Sequence, residues 1–259
     1  MKRLTALTMT LAFTLSAWAW TYESQESTTE QVVQFRAGVD FSKKWNNGLK
    51  FSALEEVRVD AYNSLYGANF SKAYTTLSLG YSPIEYIKMD VGYTLRVMGR
   101  KNWNDPNEVL RHRVFFSAGA VYPTRYVKLS LRERFLCEMR TDSVNLLEKN
   151  KYNWLLRSRI GADFIVPGKP VKPYIWCELE NTLNVPEYQQ KEGRQYISRV
   201  RTQAGVKWRL NAVHSLDFYY RFQYKYNRDI NITKNKGYIE LTEATTYLHA
   251  IGVVYCLDW

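Results

Sequence analysis

Arginines spaced two residues apart are the most distinctive chemical feature of this sequence. The motif Arg-x-Arg occurs four times, at Arg111-His-Arg113, Arg132-Glu-Arg134, Arg157-Ser-Arg159 and Arg199-Val-Arg201. A guanidinium group is planar, always charged, and pairs with carboxylates or other oxyanions through two parallel hydrogen bonds. The repeated motif therefore indicates internal ion pairing or contact with anionic solutes.

The alternation of side chains along extended segments gathers these arginines and several acids on one polar face. This predicted face contains Arg36, Glu56, Arg58, Asp90, Arg96, Arg111, Arg113, Arg132, Arg134, Arg157, Arg159, Asp163, Glu178, Glu180, Arg199, Arg201, Asp217 and Arg221. Charges inside a protein must be paired or hydrated, because an isolated buried charge is costly. Two interpretations stay open: a structural lattice of ion pairs, and a cationic pore lining that favours small anionic solutes.

An enzyme is the alternative class of function, specifically one that modifies lipids or lipid A. A hydrolase of that kind typically needs a serine nucleophile beside a histidine base. The chain has His112, His214 and His249, and none has a serine on the same strand face at a spacing that would pair. We therefore predict no catalytic residue and no enzyme activity, and we interpret Glu178 and Glu180 as salt-bridge partners.

Metal and cofactor sites are not predicted either. The three cysteines, at positions 137, 177 and 256, have neither disulfide-framework nor metal-ligand spacing. Asn104, Asp105 and Glu108 could bind a cation, but three such groups in a long loop are interpreted as solvated.

Residues 215–226 show the kind of element that must carry the charged face. Leu216, Phe218, Tyr220 and Phe222 alternate with polar residues such as Asp217. A period of two predicts a β-strand whose two faces meet different surroundings. About 9–11 residues suffice for a tilted strand to cross a bilayer, so this strand is long enough.

The same alternation recurs along the chain and predicts an all-β, antiparallel transmembrane barrel. The other segments are 31–42, 49–60, 72–81, 86–97, 111–120, 127–136, 154–165, 173–183, 197–208 and 246–257. Connections alternate between short turns and longer loops, as expected for barrels of the outer membrane. Eleven strands would make the first and last parallel, so we add a strand near Trp20–Ser27 and predict about twelve, with ten as the alternative.

The apolar faces of these strands indicate lipid contact. They lack charges almost throughout, whereas the polar faces combine glycine and serine with long arginines, which suits a polar lumen. A soluble β-sandwich or lipocalin-like barrel would place the apolar face inside instead. No apolar run after the N-terminal segment approaches the roughly 18 residues of a spanning helix.

The N-terminal segment is typical of a secretory signal peptide. Lys2 and Arg3 precede an apolar run over residues 4–15, and Ala17-Trp18-Ala19 fits a cleavage site. We therefore predict a signal peptide over residues 1–19 and one barrel domain over 20–259. The formal charge is +11, and +9 without Lys2 and Arg3. A secreted chain is not expected to meet nucleic acid, so the predicted partners are outer-membrane lipid, lipopolysaccharide and small anionic solutes.

The C-terminal segment predicts one more partner. Gly252, Tyr255, Leu257 and Trp259 lie in a final strand that alternates apolar residues and ends on an aromatic residue. This pattern resembles the signal that the barrel-assembly machinery reads in the outer membrane of Gram-negative bacteria. We therefore expect the protein in that membrane.

The Arg-x-Arg motifs resemble a known family, together with Glu56-Val-Arg58, Gly92-Tyr-Thr-Leu-Arg96 and the glycines that follow three of the four arginine pairs. About residues 30–259 resemble the outer-membrane barrels catalogued as domain of unknown function 2490. The resemblance implies the barrel fold and the membrane location. It implies no activity.

Overall fold

The structure is a computed structural model that describes residues 21–65, 67–99, 110–141, 150–185, 197–233 and 238–259. Its strands are β1 Thr21–Lys44, β2 Leu49–Asn63, β3 Asn69–Ile84, β4 Ile87–Met98, β5 Leu110–Pro123, β6 Val127–Arg140, β7 Tyr152–Phe164, β8 Val171–Thr182, β9 Ile197–Arg209, β10 His214–Thr233 and β11 Tyr238–Asp258. The segment predicted as a signal peptide and the loop with Asn104, Asp105 and Glu108 lie outside the described residues.

Hydrogen bonding joins each strand to its neighbours in sequence, and β1 pairs with β11, so the sheet closes into a barrel. This confirms the predicted barrel fold. The described strands number eleven, not twelve, and β1 and β11 run parallel. Among the described residues, no separate strand forms near Trp20–Ser27. Residues 21–27 form the first part of β1, which stays paired with β11 and does not turn back. A barrel with an odd number of sequentially antiparallel strands must close with one parallel pair.

Short and long connections separate the two ends of the barrel. At one end the connections 45–48, 85–86, 124–126, 165–170 and 210–213 have two to six residues, and the C-terminus lies there too. At the other end 99–109, 141–151 and 183–196 are longer. Residues 228–233 and 238–243, which lie between the predicted strands 215–226 and 246–257, instead extend β10 and β11, which stay paired from Arg228–Glu243 to Thr233–Tyr238.

The two faces of the wall differ as the period of two predicts. Phe35 is 53% exposed on the outer surface, whereas its neighbour Arg36 is 3% exposed inside the barrel. Large apolar side chains such as Val91, Phe116 and Ile251 are likewise exposed on the outside. The expectation that charges are almost absent from this surface has exceptions among the described residues, and two that lie at mid-strand are described next.

Glu55 and Glu133 face outward from the middles of β2 and β6, and both are exposed. Thr75 Oγ1 donates to Glu55 at 2.9 Å, and Ser158 Oγ donates to Glu133 at 2.7 Å. Each carboxylate thus has a hydroxyl partner from the adjacent strand. Across the described ranges, the structure contains no helix long and apolar enough to cross a membrane.

Candidate functional site in the barrel lumen

The barrel encloses a cavity of about 340 Å³ whose lining is strongly basic. Among the described residues, thirteen arginines and lysines border the cavity, against four glutamates and aspartates. Most of the arginines predicted from the sequence to share one face are among them. Their bonding partners divide them into distinct groups.

The first group forms around Glu178, which is 1% exposed. In the strand register Glu178 on β8 lies directly between Arg159 on β7 and Arg201 on β9. Its Oε2 atom is 2.6 Å from Arg159 Nη2 and 3.2 Å from Arg132 Nη2, while Oε1 pairs with Arg201. One buried carboxylate therefore contacts three guanidinium groups.

Glu180 repeats this arrangement one step along β8. It lies between Arg157 on β7 and Arg199 on β9. Arg157 Nε is 2.5 Å and Arg201 Nη2 is 3.1 Å from Oε2, and Arg199 Nη1 is 3.1 Å from Oε1. The Glu-x-Glu motif of β8 is in register with the Arg-x-Arg motifs of β7 and β9 on either side. This register places each glutamate between two arginines.

Glu138 is a third carboxylate of the same kind, and sequence reasoning missed it. It is 4% exposed and lies opposite Arg113 in the register of β5 and β6. Glu138 pairs with Arg113, with Arg96 Nη2 at 3.0 Å and with Arg111 Nη1 at 3.1 Å. The sequence pattern placed position 138 in a loop, but β6 continues to Arg140 and keeps Glu138 on the inner face.

We call these three glutamates and their arginine partners the paired wall. In the described part of the chain its arginines are Arg96, Arg111, Arg113, Arg132, Arg157, Arg159, Arg199 and Arg201. Five of the six arginines that contact Glu138 and Glu180 border the cavity, whereas among the described residues these two carboxylates do not. The acids lie behind guanidinium groups, so the surface that faces the lumen stays cationic.

Arg36 and Arg221 form a second group, in which a glutamine amide takes the place of the carboxylate. Arg36 Nε donates to Gln34 Oε1 at 2.7 Å, and Arg221 Nε donates to Gln203 Oε1 at 2.7 Å. Neither arginine has a salt bridge with any described residue. We call Arg36 and Arg221 the amide-bonded pair.

Each glutamine of this pair connects onward to an acid. Gln34 Nε2 donates to Asp60 Oδ1 at 2.6 Å. Gln203 Nε2 donates to the hydroxyl of Tyr174 at 2.6 Å, and that hydroxyl donates to Asp217 Oδ1 at 2.8 Å. At least one neutral group therefore lies between each guanidinium and the nearest acid of its hydrogen-bond chain.

Arg58 lies close to this pair but has its own carboxylate. It pairs with Glu56, stacks at 4.1 Å on the ring of Tyr74, and Glu56 also accepts a hydrogen bond from the hydroxyl of Tyr219 at 3.3 Å. Since β1 and β2 place Arg36 and Arg58 directly opposite each other, Glu56 offsets the repulsion between two like charges.

Arg134 also has a carboxylate partner, although it does not belong to the paired wall. Its Nη2 atom is 3.1 Å from Asp90 Oδ2, and its guanidinium stacks at 4.2 Å on Phe115. Asp163 lies apart from all these groups, because it is exposed at the end of β7 and takes part in no ion pair within the described ranges.

Glycines on the inner face receive aromatic rings from the neighbouring strand. A Cβ on Gly252 would meet the ring of Tyr219, and a Cβ on Gly205 would lie 2.6 Å from the Tyr174 hydroxyl. The rings can therefore lie flat against the wall. A side chain larger than hydrogen at either glycine would displace the ring that lies on it.

The three histidines lie on the outer side, and each contacts a tyrosine. Tyr93 and His112 are joined at 2.5 Å, Tyr220 and His249 at 2.6 Å, and His214 contacts Tyr255. Each of these contacts joins a phenol oxygen to histidine Nδ1. These contacts give no support to the interpretation as a hydrolase.

The C-terminal segment completes the barrel. Trp259 N donates to Ser42 O at 2.7 Å, and Lys44 N donates to Trp259 O at 2.9 Å, which continues the β1–β11 seam. Tyr255 and Leu257 lie on the outer face of β11, whereas Gly252 lies on the inner face beneath Tyr219. The role of this segment as an assembly signal stays a prediction.

Two solved structures are similar to the barrel. The structure described as the NanC porin in a rhombohedral crystal form has a TM-score of 0.45 and 9% sequence identity, covering 73% of this chain and 84% of that chain. The structure described as the KdgM porin has a TM-score of 0.39 and 13% identity, covering 74% and 89%. No curated protein matches the sequence significantly.

A family model gives the clearest relationship. The model described as "Protein of unknown function (DUF2490)" matches residues 14–234, which is most of the chain. The resemblance drawn from the arginine and glycine motifs is thereby confirmed, and the chain belongs to the DUF2490 family.

Proposed function

We propose that the protein is an outer-membrane channel whose lumen favours small anions, with the paired wall as its structural lattice. The observation that carries this proposal is the lining of the cavity, where basic residues outnumber acidic ones thirteen to four among the described residues. A charged lining of one sign raises the local concentration of the opposite ion and selects for it.

The placement of the carboxylates supports the same function. Glu138 and Glu180 neutralise charge from within the wall, at 4% and 3% exposure, while guanidinium groups face the lumen. A solute in the cavity therefore meets hydrogen-bond donors and positive charge first. The buried pairs also fix these long side chains in place, so the lining is preorganised.

The outer surface supports membrane insertion. Large apolar side chains, including Phe35, Ile160 and Tyr122, are more than half exposed there. In water such a continuous apolar surface would promote aggregation, whereas lipid covers it. We propose the outer membrane of a Gram-negative bacterium as the location, with lipid and lipopolysaccharide around the barrel and the assembly machinery as a transient partner.

Reversal potentials measured in planar bilayers test the channel function directly. The refolded full chain, placed between unequal KCl solutions, should conduct and show a reversal potential of the sign that chloride preference gives. A preference for potassium would refute the argument from lining charge. Well-folded protein that does not conduct would show that the lumen is only a structural lattice.

Two substitutions on adjacent residues of β10 test which face meets lipid. Phe222 is on the outer face beside His249, and Gln223 borders the cavity. Phe222→Arg should destabilise the barrel by about 2–4 kcal/mol, the cost of arginine near the bilayer centre, whereas Gln223→Arg should be mild. Equal effects, or recovery of wild-type protein in the soluble periplasmic fraction, would contradict membrane insertion.

A further inference from the structure

We propose that the amide-bonded pair, Arg36 and Arg221, is a binding site for a single oxyanion group such as a carboxylate, phosphate or sulfate. This inference rests on the proposed function and assigns it a place in the lumen. Both residues border the cavity, and a single strand, β11, lies between the strands that carry them.

Their partners orient these guanidinium groups without neutralising them. An amide oxygen accepts one hydrogen bond from each Nε atom and carries no net charge, so each arginine keeps its positive charge and its terminal nitrogens for another partner. In the paired wall the Nε atoms of Arg113, Arg157 and Arg159 donate to carboxylates instead. The side chains that hold the amide-bonded pair therefore resemble the supports of a binding site more than an ion-pair lattice.

Arg36 has unused hydrogen-bonding capacity. It is 3% exposed, and its Nη1 atom is buried without a hydrogen-bond partner among the described residues. A buried guanidinium donor left unpaired costs free energy. An oxyanion that accepts hydrogen bonds from Arg36 would remove this cost, and charge-assisted bonds are the strong ones.

The strand between the two arginines places only small residues opposite them. One strand, β11, separates them, and there Gly252 lies opposite Arg36 and Ala250 lies opposite Arg221. Two strand spacings amount to about 10 Å, which two arginine side chains can span from opposite sides. The ring of Tyr219 covers Gly252 and Ala250 is fully buried, so an oxyanion would contact the two guanidinium groups from the cavity side.

Aromatic rings bound the site on one side. The guanidinium of Arg221 lies 5.2 Å from the ring centres of both Trp176 and Tyr219. Such rings favour the cation and replace water beside it, and an ion contact strengthens when water is excluded. The site therefore combines two positive groups with a partly dry surface.

Changing the supporting amides to carboxylates tests the site without removing either arginine. Gln34→Glu and Gln203→Glu would replace each hydrogen bond between a guanidinium and a glutamine amide by an ion pair like those of the paired wall. Gln223→Glu is the matched control, because Gln223 accepts from Arg201, whose terminal nitrogens already contact Glu178 and Glu180. All three variants add the same charge to the same lumen.

Sulfate is the probe, and the measurement is the midpoint temperature of thermal unfolding of the refolded full-length protein in detergent. Sodium chloride keeps the ionic strength constant as the sulfate concentration changes. Sulfate should raise the midpoint of wild type through specific binding, and the Kd from its concentration dependence should weaken about tenfold in Gln34→Glu and in Gln203→Glu. Gln223→Glu should bind sulfate as wild type does. General salting effects of sulfate act on every variant alike and so cancel in the comparison.

If the affinity for sulfate weakens equally in all three variants, only the total charge of the lumen matters and the site is refuted. If the affinity does not weaken in Gln34→Glu and Gln203→Glu, the site is refuted as well. If those variants do not fold, Arg36→Lys and Arg221→Lys should still weaken sulfate binding, because they keep the charge but lose the planar fork. Sulfate binding without conductance would refute the channel and leave the site. Anion-selective conductance without sulfate binding would refute the site alone.

Discussion

The lumen contains two kinds of arginine that differ in the partner of the guanidinium group. In the paired wall, Glu138, Glu178 and Glu180 each contact three arginines directly. In the amide-bonded pair, Arg36 and Arg221 contact glutamines, and the nearest acid of each hydrogen-bond chain is at least one group further along it. Arginine therefore occurs in one barrel with two kinds of partner, and the two proposed roles follow that division.

This difference explains how a narrow barrel can hold many arginines and still present positive charge. Direct ion pairs stabilise the wall because buried carboxylates and guanidinium groups compensate each other, and separating them is costly. Amide partners give orientation alone, so the charge remains available to a solute. The predictions that follow separate stability, which should depend on the first group, from selectivity, which should depend on the second.

Glu178→Gln should have the largest effect on stability. The substitution leaves Arg132, Arg159 and Arg201 with one fewer carboxylate in a site that is 1% exposed. Breaking a buried pair costs about 3–5 kcal/mol. Urea unfolding of refolded barrel in lipid vesicles measures the loss, and Asp163→Asn on the exposed end of β7 is the control. A comparable loss in the control would show that Glu178 has no special structural role.

The double substitution Arg132→Ser and Arg134→Ser should lower stability by a smaller amount, about 1–3 kcal/mol, because Glu178 keeps two arginines and Asp90 keeps Ser117. Anion selectivity should fall only modestly, since each arginine already offsets an acid, Arg132 with Glu178 and Arg134 with Asp90. The same urea titration and the reversal potential measure both quantities. Unchanged stability with complete loss of selectivity would place the selective charge in the paired wall.

The double substitution Arg36→Gln and Arg221→Gln should give the opposite pattern. Selectivity for chloride should be largely lost, whereas the free energy of unfolding should change by no more than about 1 kcal/mol, because no carboxylate loses a partner. Removing the unpaired donor of Arg36 even favours the folded state. A loss of stability as large as that of Glu178→Gln would show that the amide-bonded pair is structural too.

The period of two in the sequence predicts the strands and their faces because a strand that separates lipid from a polar lumen must alternate. It places Gln34 beside Arg36 on β1 and Glu178 beside Glu180 on β8. The bonding pattern depends on register, which no single segment contains. Only the pairing of β9 with β10 brings Gln203 opposite Arg221, and only β5 with β6 brings Glu138 opposite Arg113.

Two further features were not predictable from local pattern. β6 continues through Leu136 and Cys137, whose apolar side chains interrupt the alternation of polar and apolar residues, so the inner position of Glu138 is hidden in the sequence. The parallel closure of β1 on β11 was excluded by the assumption of an even strand number. That closure depends on backbone pairing over residues 21–42, which side-chain alternation does not reveal.

Salt should have the smallest effect, and it should separate the two regions once more. Interactions between hydrated charges are screened over about 8–10 Å near 0.1–0.15 M salt and over about 3 Å at 1 M. Arg36 and Arg221 act on ions in the hydrated cavity, so the preference for chloride should decline when KCl rises from 0.1 to 1 M at a constant concentration ratio. The contacts of the paired wall are direct and buried, for example 2.6 Å between Arg159 and Glu178, so the urea midpoint should change little over the same range. A parallel decline of selectivity and stability would mean that water and ions reach both groups equally. In that case the distinction between carboxylate and amide partners would not determine function.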